Sequence, residues 1–409
     1  MTASIGQAGS RKPLSTVEFV ALFSFITSLT AAAIDGMLPA LGVIGVELNV
    51  ADPRNTQLVI TLFVFGMVFG EFLFGPLSDA IGRRKAILLG LAIFCAGSVL
   101  AMTAQSIEMM LLGRVIQGFG VSGPKIGSRA LIRDKFSGDA MARMISYIYM
   151  TFILVPMLAP AAGQLIVSVA SWRAIFFAYL LMGLIVSVWL MMRQEETLAV
   201  EHRIPLSFGT LVRNTWLVVN SRKVMAYILA LGLAFGGLLL YLSIAQSIFQ
   251  DIYGVGTEFP LYFAMLALGV GIASFSNSQL VMRFGMERLS LVALSGMSVV
   301  GAALLAMCLL YDGQPPFVWF MVFMGALLFC FSALFNNLNS MAMQSLGRVA
   351  GLGTSLVSSI SSLVAVVIAV TLGRFYDLTV YPLAGAFLLA GAGGIILVVL
   401  ARSGHSEPV

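Results

Sequence analysis

Charge is scarce in this sequence. Only 10% of its 409 residues are charged, against about 25% in an average soluble domain. Too few polar side chains remain to coat a water-facing surface, which excludes a secreted enzyme, a nucleic-acid binder, a disordered scaffold and a β-barrel porin. Cysteine is nearly absent: Cys95, Cys308 and Cys330 fall in apolar runs at unrelated spacings. Neither a disulfide framework nor a metal cluster is expected from them. His202 and His405 lie far apart in polar segments, so a metal site is not expected, and no other cofactor is. The chain is instead rich in apolar residues, at 59% hydrophobic with a mean hydropathy of +1.00. That composition requires an all-α polytopic membrane protein.

A helix needs about 20 apolar residues to cross the hydrocarbon core. The expected runs are 17–40, 56–79, 86–105, 107–129, 141–168, 173–193, 223–249, 258–282, 289–311, 317–342, 350–372 and 380–401. The first is too long, and lacks a clear cleavage site, for a secretory signal peptide. The expected division is a tail (1–16), a six-helix half (17–193), a linker (194–222), a second six-helix half (223–401) and a C-terminal tail (402–409). With both termini in the cytoplasm, the opposite loops hold only Arg54, Arg173 and Arg374, and Arg114 lies inside the fourth run. The other nineteen of the 23 basic residues then face the cytoplasm. This positive-inside bias sets the orientation and accounts for the net charge of +5 without a nucleic-acid partner. In the linker, Leu206, Leu211, Val212, Trp216 and Val219 recur at helical spacing beside Arg213 and Arg222. That pattern predicts a short helix on the cytoplasmic surface.

Both halves share a loop between their second and third runs. The first carries Gly75, Asp79, Gly82, Arg83 and Arg84, followed by Lys85; the second, weaker copy runs from Ser278 through Arg283, Gly285 and Arg288. A degenerate repeat of this kind indicates duplication, and transporters built from repeats place the substrate between them.

The first loop resembles the G-x-L-x-D-x-x-G-R-R signature of the major facilitator superfamily. Arg114, Gln117 and Gly118 resemble the R-x-x-Q-G element of its fourth helix, and Asp35 with Leu38 and Pro39 resembles the D-x-x-L-P element of drug/proton antiporters. Ala159, Pro160 and Gly163 are similar to the fifth-helix motif ending in G-P-x-x-G-G. With Arg133-Asp134 and Ser171-Trp172-Arg173 these positions resemble the Bcr/CflA type of multidrug efflux transporter over nearly the whole chain. Three features depart from the pattern: Ala80 replaces a common basic residue, Ala159 and Gln164 replace glycines, and the first helix has a single deep carboxylate. The resemblance implies twelve helices in two pseudo-symmetric halves, no enzymatic activity, and proton-coupled drug efflux across a bacterial inner membrane by a monomer. A proton symporter importing a metabolite on the same fold is the alternative.

Within the apolar bulk, Asp35 and Arg114 lie at similar depth, which predicts a shared network extended by Gln117. A carboxylate at a helix centre costs about 2.5–3.5 kcal/mol on insertion scales and needs a partner or a polar cavity. Asp35 is therefore the candidate proton-coupling site, with a fixed packing role as the other reading. Arg114 is either its partner or a structural arginine satisfied by backbone carbonyls. Pro39 cannot donate to the carbonyl of Asp35 and loosens the helix there. Glu71, in line with Gly75 and Asp79, is a second proton or cation site, or part of a packing lock against the eleventh helix. Asp79, Gly82, Arg83 and Arg84 read as a gate with Gly75, and Pro156, Pro160 and Gly163 as a flexible stretch of the fifth helix. Small residues from Gly351 to Ser362 allow close packing of the eleventh. Tyr147, Phe152, Phe235, Tyr241, Gln246, Asn336 and Asn339 are the candidate lining of a substrate cavity for hydrophobic or cationic molecules.

Overall fold

The computed structural model describes residues 14–346 and 350–403, and the secondary structure it assigns there is helical. In chain order the α-helices are α1 (Thr16–Asp35), α2 (Leu41–Glu47), α3 (Leu58–Ile81), α4 (Arg83–Met102), α5 (Ile107–Lys135), α6 (Gly138–Val169) and α7 (Arg173–Arg193). There follow α8 (Phe208–Asn220), α9 (Arg222–Ser247), α10 (Phe259–Phe284), α11 (Met286–Leu310), α12 (Phe317–Gln344), α13 (Ala350–Gly373) and α14 (Tyr381–Ser403).

Among the described residues, ten stretches are long and apolar enough to cross a bilayer by length and composition. One of them runs from Thr16 to Glu47 through α1, a 3₁₀ turn and α2. Helices α5 (29 residues) and α6 (32 residues) complete the expected twelve. At 1.5 Å per residue they exceed the roughly 30 Å hydrocarbon thickness. Helix α5 is less apolar than the others because it carries Glu108, Arg114, Lys125, Arg129, Arg133, Asp134 and Lys135. Large apolar side chains such as Phe69, Leu112, Leu158, Ile185, Val299 and Val318 point outward. Such a surface suits lipid, where only helices satisfy their own backbone.

The helices gather into two groups. In the first, α5 packs on α3 and α4, α4 on α7, and α1 on α6; in the second, α9 packs on α13 and α14, and α11 on α12 and α14. The groups meet chiefly through α3 with α13 and α6 with α10. The repeated loop is visible in the backbone: Gly82 (φ 105°, ψ 153°) precedes α4, and Gly285 (φ 78°, ψ 155°) precedes α11. Both sit at positive φ, which a residue without Cβ adopts at little cost. The loops carrying Arg83 and Arg288, together with the first and last described residues, mark one end of the bundle, called here the basic end. The other end carries Glu47, Arg54, Arg173 and Arg374.

The segment between the groups contains α8, whose Val212, Trp216 and Val219 are exposed at helical spacing. The helix rests on α9 and α13. Its start is capped by the Ser207 hydroxyl, which accepts from the Thr210 N–H at 3.4 Å.

Glycine sets the closeness of α3 and α5. A Cβ on Gly118 would stand 1.8 Å from the carbonyl oxygen of Phe63, and one on Gly66 would stand 2.1 Å from that of Val115. Overpacking of this kind costs about 1–3 kcal/mol or more. Gly118→Ala is therefore expected to lower the unfolding temperature of the detergent-purified protein by several degrees. Gly269→Ala, where a Cβ meets open space, is expected to leave it unchanged or slightly raised.

Candidate functional site

The first helix stops at Asp35. Gly36 donates back to the Ala32 carbonyl at 3.0 Å, and the chain resumes as a 3₁₀ turn over Leu38–Ala40 before α2 begins at Leu41. The loosening expected at Pro39 is thus a full break. Three neighbours hold the broken end. The Tyr179 hydroxyl of α7 donates to the Ala32 carbonyl at 2.9 Å, and Arg114 Nη2 of α5 donates to the Ala33 carbonyl at 2.9 Å. Gly163 of α6 comes so near that a Cβ there would stand 2.0 Å from the Gly36 carbonyl oxygen. A cation at the carbonyl end of a helix is also favoured by the helix dipole.

Arg114 is fully buried and spends its donors on this frame. Its Nε donates to the Val59 carbonyl at 2.9 Å and its Nη1 to Gln117 Oε1 at 2.8 Å. Gln117 Nε2 then donates to Ser98 Oγ at 2.7 Å, and the Phe63 ring lies 4.3 Å from the guanidinium carbon. Of the expected network, the Gln117 contact is formed, and among the described residues no ion pair or hydrogen bond links Arg114 to Asp35. Arg114 takes the other role open to it, that of an arginine satisfied by carbonyls, because the helix end left unpaired by the break offers it better-placed acceptors.

Asp35 is 6% exposed, and among the described residues nothing donates a hydrogen bond to its carboxylate. Tyr179 and Tyr241 are both within electrostatic reach of it. Tyr241 of α9 is buried against Phe263, ring centroids 6.1 Å apart, and among the described residues its hydroxyl has no hydrogen-bond partner. The structure therefore brings an unpaired carboxylate and an unpaired phenol to one region between the two groups.

Glu71 is fully buried and ion-paired with Lys125 of α5, while Ser362 Oγ of α13 donates to its other oxygen at 3.0 Å. One turn away Ser359 Oγ donates to the Val68 carbonyl at 2.8 Å. A Cβ on Gly75 would stand 2.1 Å from Ser355 Oγ. Glu71 thus faces the eleventh transmembrane helix across the boundary between the groups. Its charge is matched by Lys125, a residue that the sequence assigns to the cytoplasmic rim.

At the basic end, Arg83 pairs with Asp79 and with Asp134 (2.9 Å), and its Nη1 donates to Ser78 Oγ at 3.1 Å. Glu196 accepts from the backbone N–H groups of Arg83 and Arg84. These contacts join α3, α4, α5 and the segment after α7, all within the first group. Pro156 and Pro160 lie inside α6, which runs unbroken through both.

The expected cavity lining is only partly brought together. Tyr147 and Asn336 are exposed and Asn339 is half-buried. Phe235 packs edge-on to Phe335 with centroids 6.2 Å apart, and Gln246 bonds Gln250. The side chain of Phe152 lies outside the described residues. The amide that the sequence reading passed over is Asn337, which exchanges hydrogen bonds with Asn277 of α10 at 3.1 and 2.9 Å. Lys125, Tyr179, Asp134 and Glu196 were also passed over as partners. Only Asp134 carried a signal, as part of the Arg133-Asp134 element. Among the described residues no cluster of three potential metal ligands occurs.

Removing one member of a buried ion pair costs about 3–5 kcal/mol because the other is left uncompensated. Lys125 is 25% exposed, so the lower part of that range or less applies. Glu71→Gln is expected to destabilise the protein, and Glu71→Gln with Lys125→Met to recover part of the loss, as a thermal-unfolding double-mutant cycle would read.

With this geometry in place, comparison with known proteins is informative. A family model described as Major Facilitator Superfamily matches residues 20–369. A bicyclomycin resistance protein homolog of Haemophilus influenzae is 31% identical over 348 residues, covering 85% of this chain and 86% of that protein. The multidrug transporter MdfA of Edwardsiella ictaluri is 28% identical over 327 residues, 78% of this chain and 75% of its own length. A solved D-xylose–proton symporter has the same fold, with a TM-score of 0.75 at 14% identity, covering 96% of this chain and 98% of the other. The chain belongs to the Major Facilitator Superfamily and is a membrane transporter of small molecules, not an enzyme.

Proposed function

We propose that this protein exports small hydrophobic or cationic organic molecules across the bacterial inner membrane in exchange for protons. The observation that carries the proposal is the Asp35 carboxylate, buried at a helix break with no cation or donor committed to it among the described residues. An unpaired carboxylate withdrawn from water is costly, so its charge calls for a proton or a cationic substrate. One group that accepts either, but not both, exchanges the two. The proton gradient then drives export, with each charge moved across the membrane contributing roughly 2.3 kcal/mol per 100 mV. Two relatives, named for bicyclomycin resistance and multidrug transport, support efflux over import.

Alternating access follows from rocking of the two groups about the site. At the end opposite the basic loops, Arg54 Nη1 donates to the Arg374 carbonyl at 3.1 Å, and a Cβ on Gly42 would stand 2.9 Å from Gln246 Nε2. Nearer the basic end, the serines of α13 meet Val68, Glu71 and Gly75. Opening one side breaks one set of contacts and keeps the other. The Arg83 cluster lies within the first group, so it serves gating by keeping that group rigid. Tyr147, Phe235, Asn336 and Asn339 supply aromatic and amide surface for an adaptable substrate site, and the working unit is a monomer. The basic end faces the cytoplasm.

Asp35→Asn is expected to reduce pH-gradient-driven export from proteoliposomes at least tenfold while leaving the protein folded. Export that survives intact would remove Asp35 as the obligatory coupling site. For orientation, a cysteine at Ser171 should react with an impermeant maleimide in intact cells, and one at Asn220 only after permeabilisation. The reverse pattern overturns the assignment of the basic end to the cytoplasm.

A further inference from the structure

The two related loops differ in what fills the space beside them. At the first, the Glu196 carboxylate accepts from the N–H groups of Arg83 (2.8 Å) and Arg84 (3.2 Å) at the start of α4. It also accepts from the N–H groups of Thr197 and Leu198, and a Cβ on Gly82 would stand 2.4 Å from its Oε2. At the second, Gly285 has nearly the same backbone, yet a Cβ there would meet nothing within 4 Å. Among the described residues no side chain accepts from the N–H groups of Met286 and Glu287, which occupy the places of Arg83 and Arg84.

The open space is a cavity of about 540 Å³, a volume within the roughly 300–1,000 Å³ range of small-molecule sites. Lys223, Arg288 and Arg402 stand in its wall with one acid, Glu287, and Glu287 is already paired with Arg402. Lys223 and Arg288 have no ion pair or side-chain hydrogen bond among the described residues. The cavity therefore joins an uncapped helix start to two unmatched cations, where the first half holds a carboxylate. Exposed Phe284 stands in its wall beside Met286, offering apolar surface for an acyl chain.

We propose that this cavity binds a phosphate-bearing anion, with an anionic phospholipid headgroup as its source. Phosphate oxygens accept from helix-start N–H groups and from lysine and arginine in charge-assisted bonds. Basic pockets between helices suit anionic headgroups at a membrane surface. Residues 404–409 lie outside the described residues and include one acidic side chain, Glu407, so the test must separate the chain's own tail from an outside ligand.

The test titrates the purified full-length protein with phosphatidylglycerol, phosphatidylcholine and inorganic phosphate, read by native mass spectrometry. The expected result is retention of phosphatidylglycerol over phosphatidylcholine, with inorganic phosphate competing. Lys223→Gln with Arg288→Gln should weaken retention at least tenfold. Gln344→Glu, which adds a carboxylate to the cavity wall, should do the same, both variants keeping the lipid-free unfolding temperature of the parent. Phosphatidylglycerol retention unchanged in both variants overturns the site. Binding that appears only in a Glu407→Gln variant overturns it in favour of the tail. Binding of inorganic phosphate without the lipid supports the anion site and overturns its lipid source.

Discussion

The arrangement depends on one buried guanidinium. An arginine removed from water must spend its donors on fixed acceptors, since leaving a buried charge unsatisfied is among the costliest defects a fold can carry. Arg114 meets that demand with the Ala33 and Val59 carbonyls and with Gln117. In doing so it ties α1, α3 and α5 at one level, and Ser98 extends the frame to α4. The break after Asp35 and the buried arginine support each other: the break frees a carbonyl, and the carbonyl satisfies the arginine. A consequence follows for Asp35. Because Arg114 is committed to these acceptors, it makes no ion pair with the carboxylate two residues beyond Ala33.

The contacts within and between the groups differ in kind, and the difference favours rocking over flexing. Inside the first group, Gly66 and Gly118 bring α3 and α5 backbones together so closely that no side chain could intervene. Contacts that close allow little sliding in a densely packed interior. Between the groups, serine hydroxyls of α13 make single hydrogen bonds to α3. Such bonds average only about 0.6 kcal/mol in membrane proteins, and water entering an opened cleft can replace them. Boundaries that part easily around bodies that do not deform are what two-state motion requires.

Much of the fold was legible in the sequence because a bilayer reduces the problem to length, apolarity and the side on which charge falls. The twelve runs, the linker helix and the repeated loop follow from those alone, and the identities of Asp35, Arg114 and Glu71 follow from the cost of placing charge among apolar residues. The Arg114–Gln117 contact and the facing of Glu71 to the eleventh helix were also legible, but the charge pairings were not. Equal depth says nothing about the direction a side chain takes around a helix axis, so Arg114 and Asp35 looked like partners. Lys125 looked like a rim charge because it stands near others of its sign, yet its ammonium reaches inward to Glu71. Asn337, rather than its neighbours Asn336 and Asn339, makes the interhelical amide pair, a choice made by a rotation of about 100° per residue.

Duplication explains why the repeated loops are alike in backbone and unlike in chemistry. Gly82 and Gly285 hold the same turn at positive φ, where one helix ends and the next begins at once, and that conformation costs a glycine little whatever surrounds it. The side chains answer to different constraints. The first copy neutralises itself: Asp79, Asp134 and Glu196 match Arg83 and the helix start behind it. In the second copy Met282 and Met286 stand in the places of Asp79 and Arg83, and no described carboxylate stands in the place of Glu196. One half is therefore closed electrostatically from within, while the other leaves cations and backbone donors turned toward an open cavity. The asymmetry lies between the halves at one end of the bundle, so an anion held as proposed would meet the second half alone, away from Asp35.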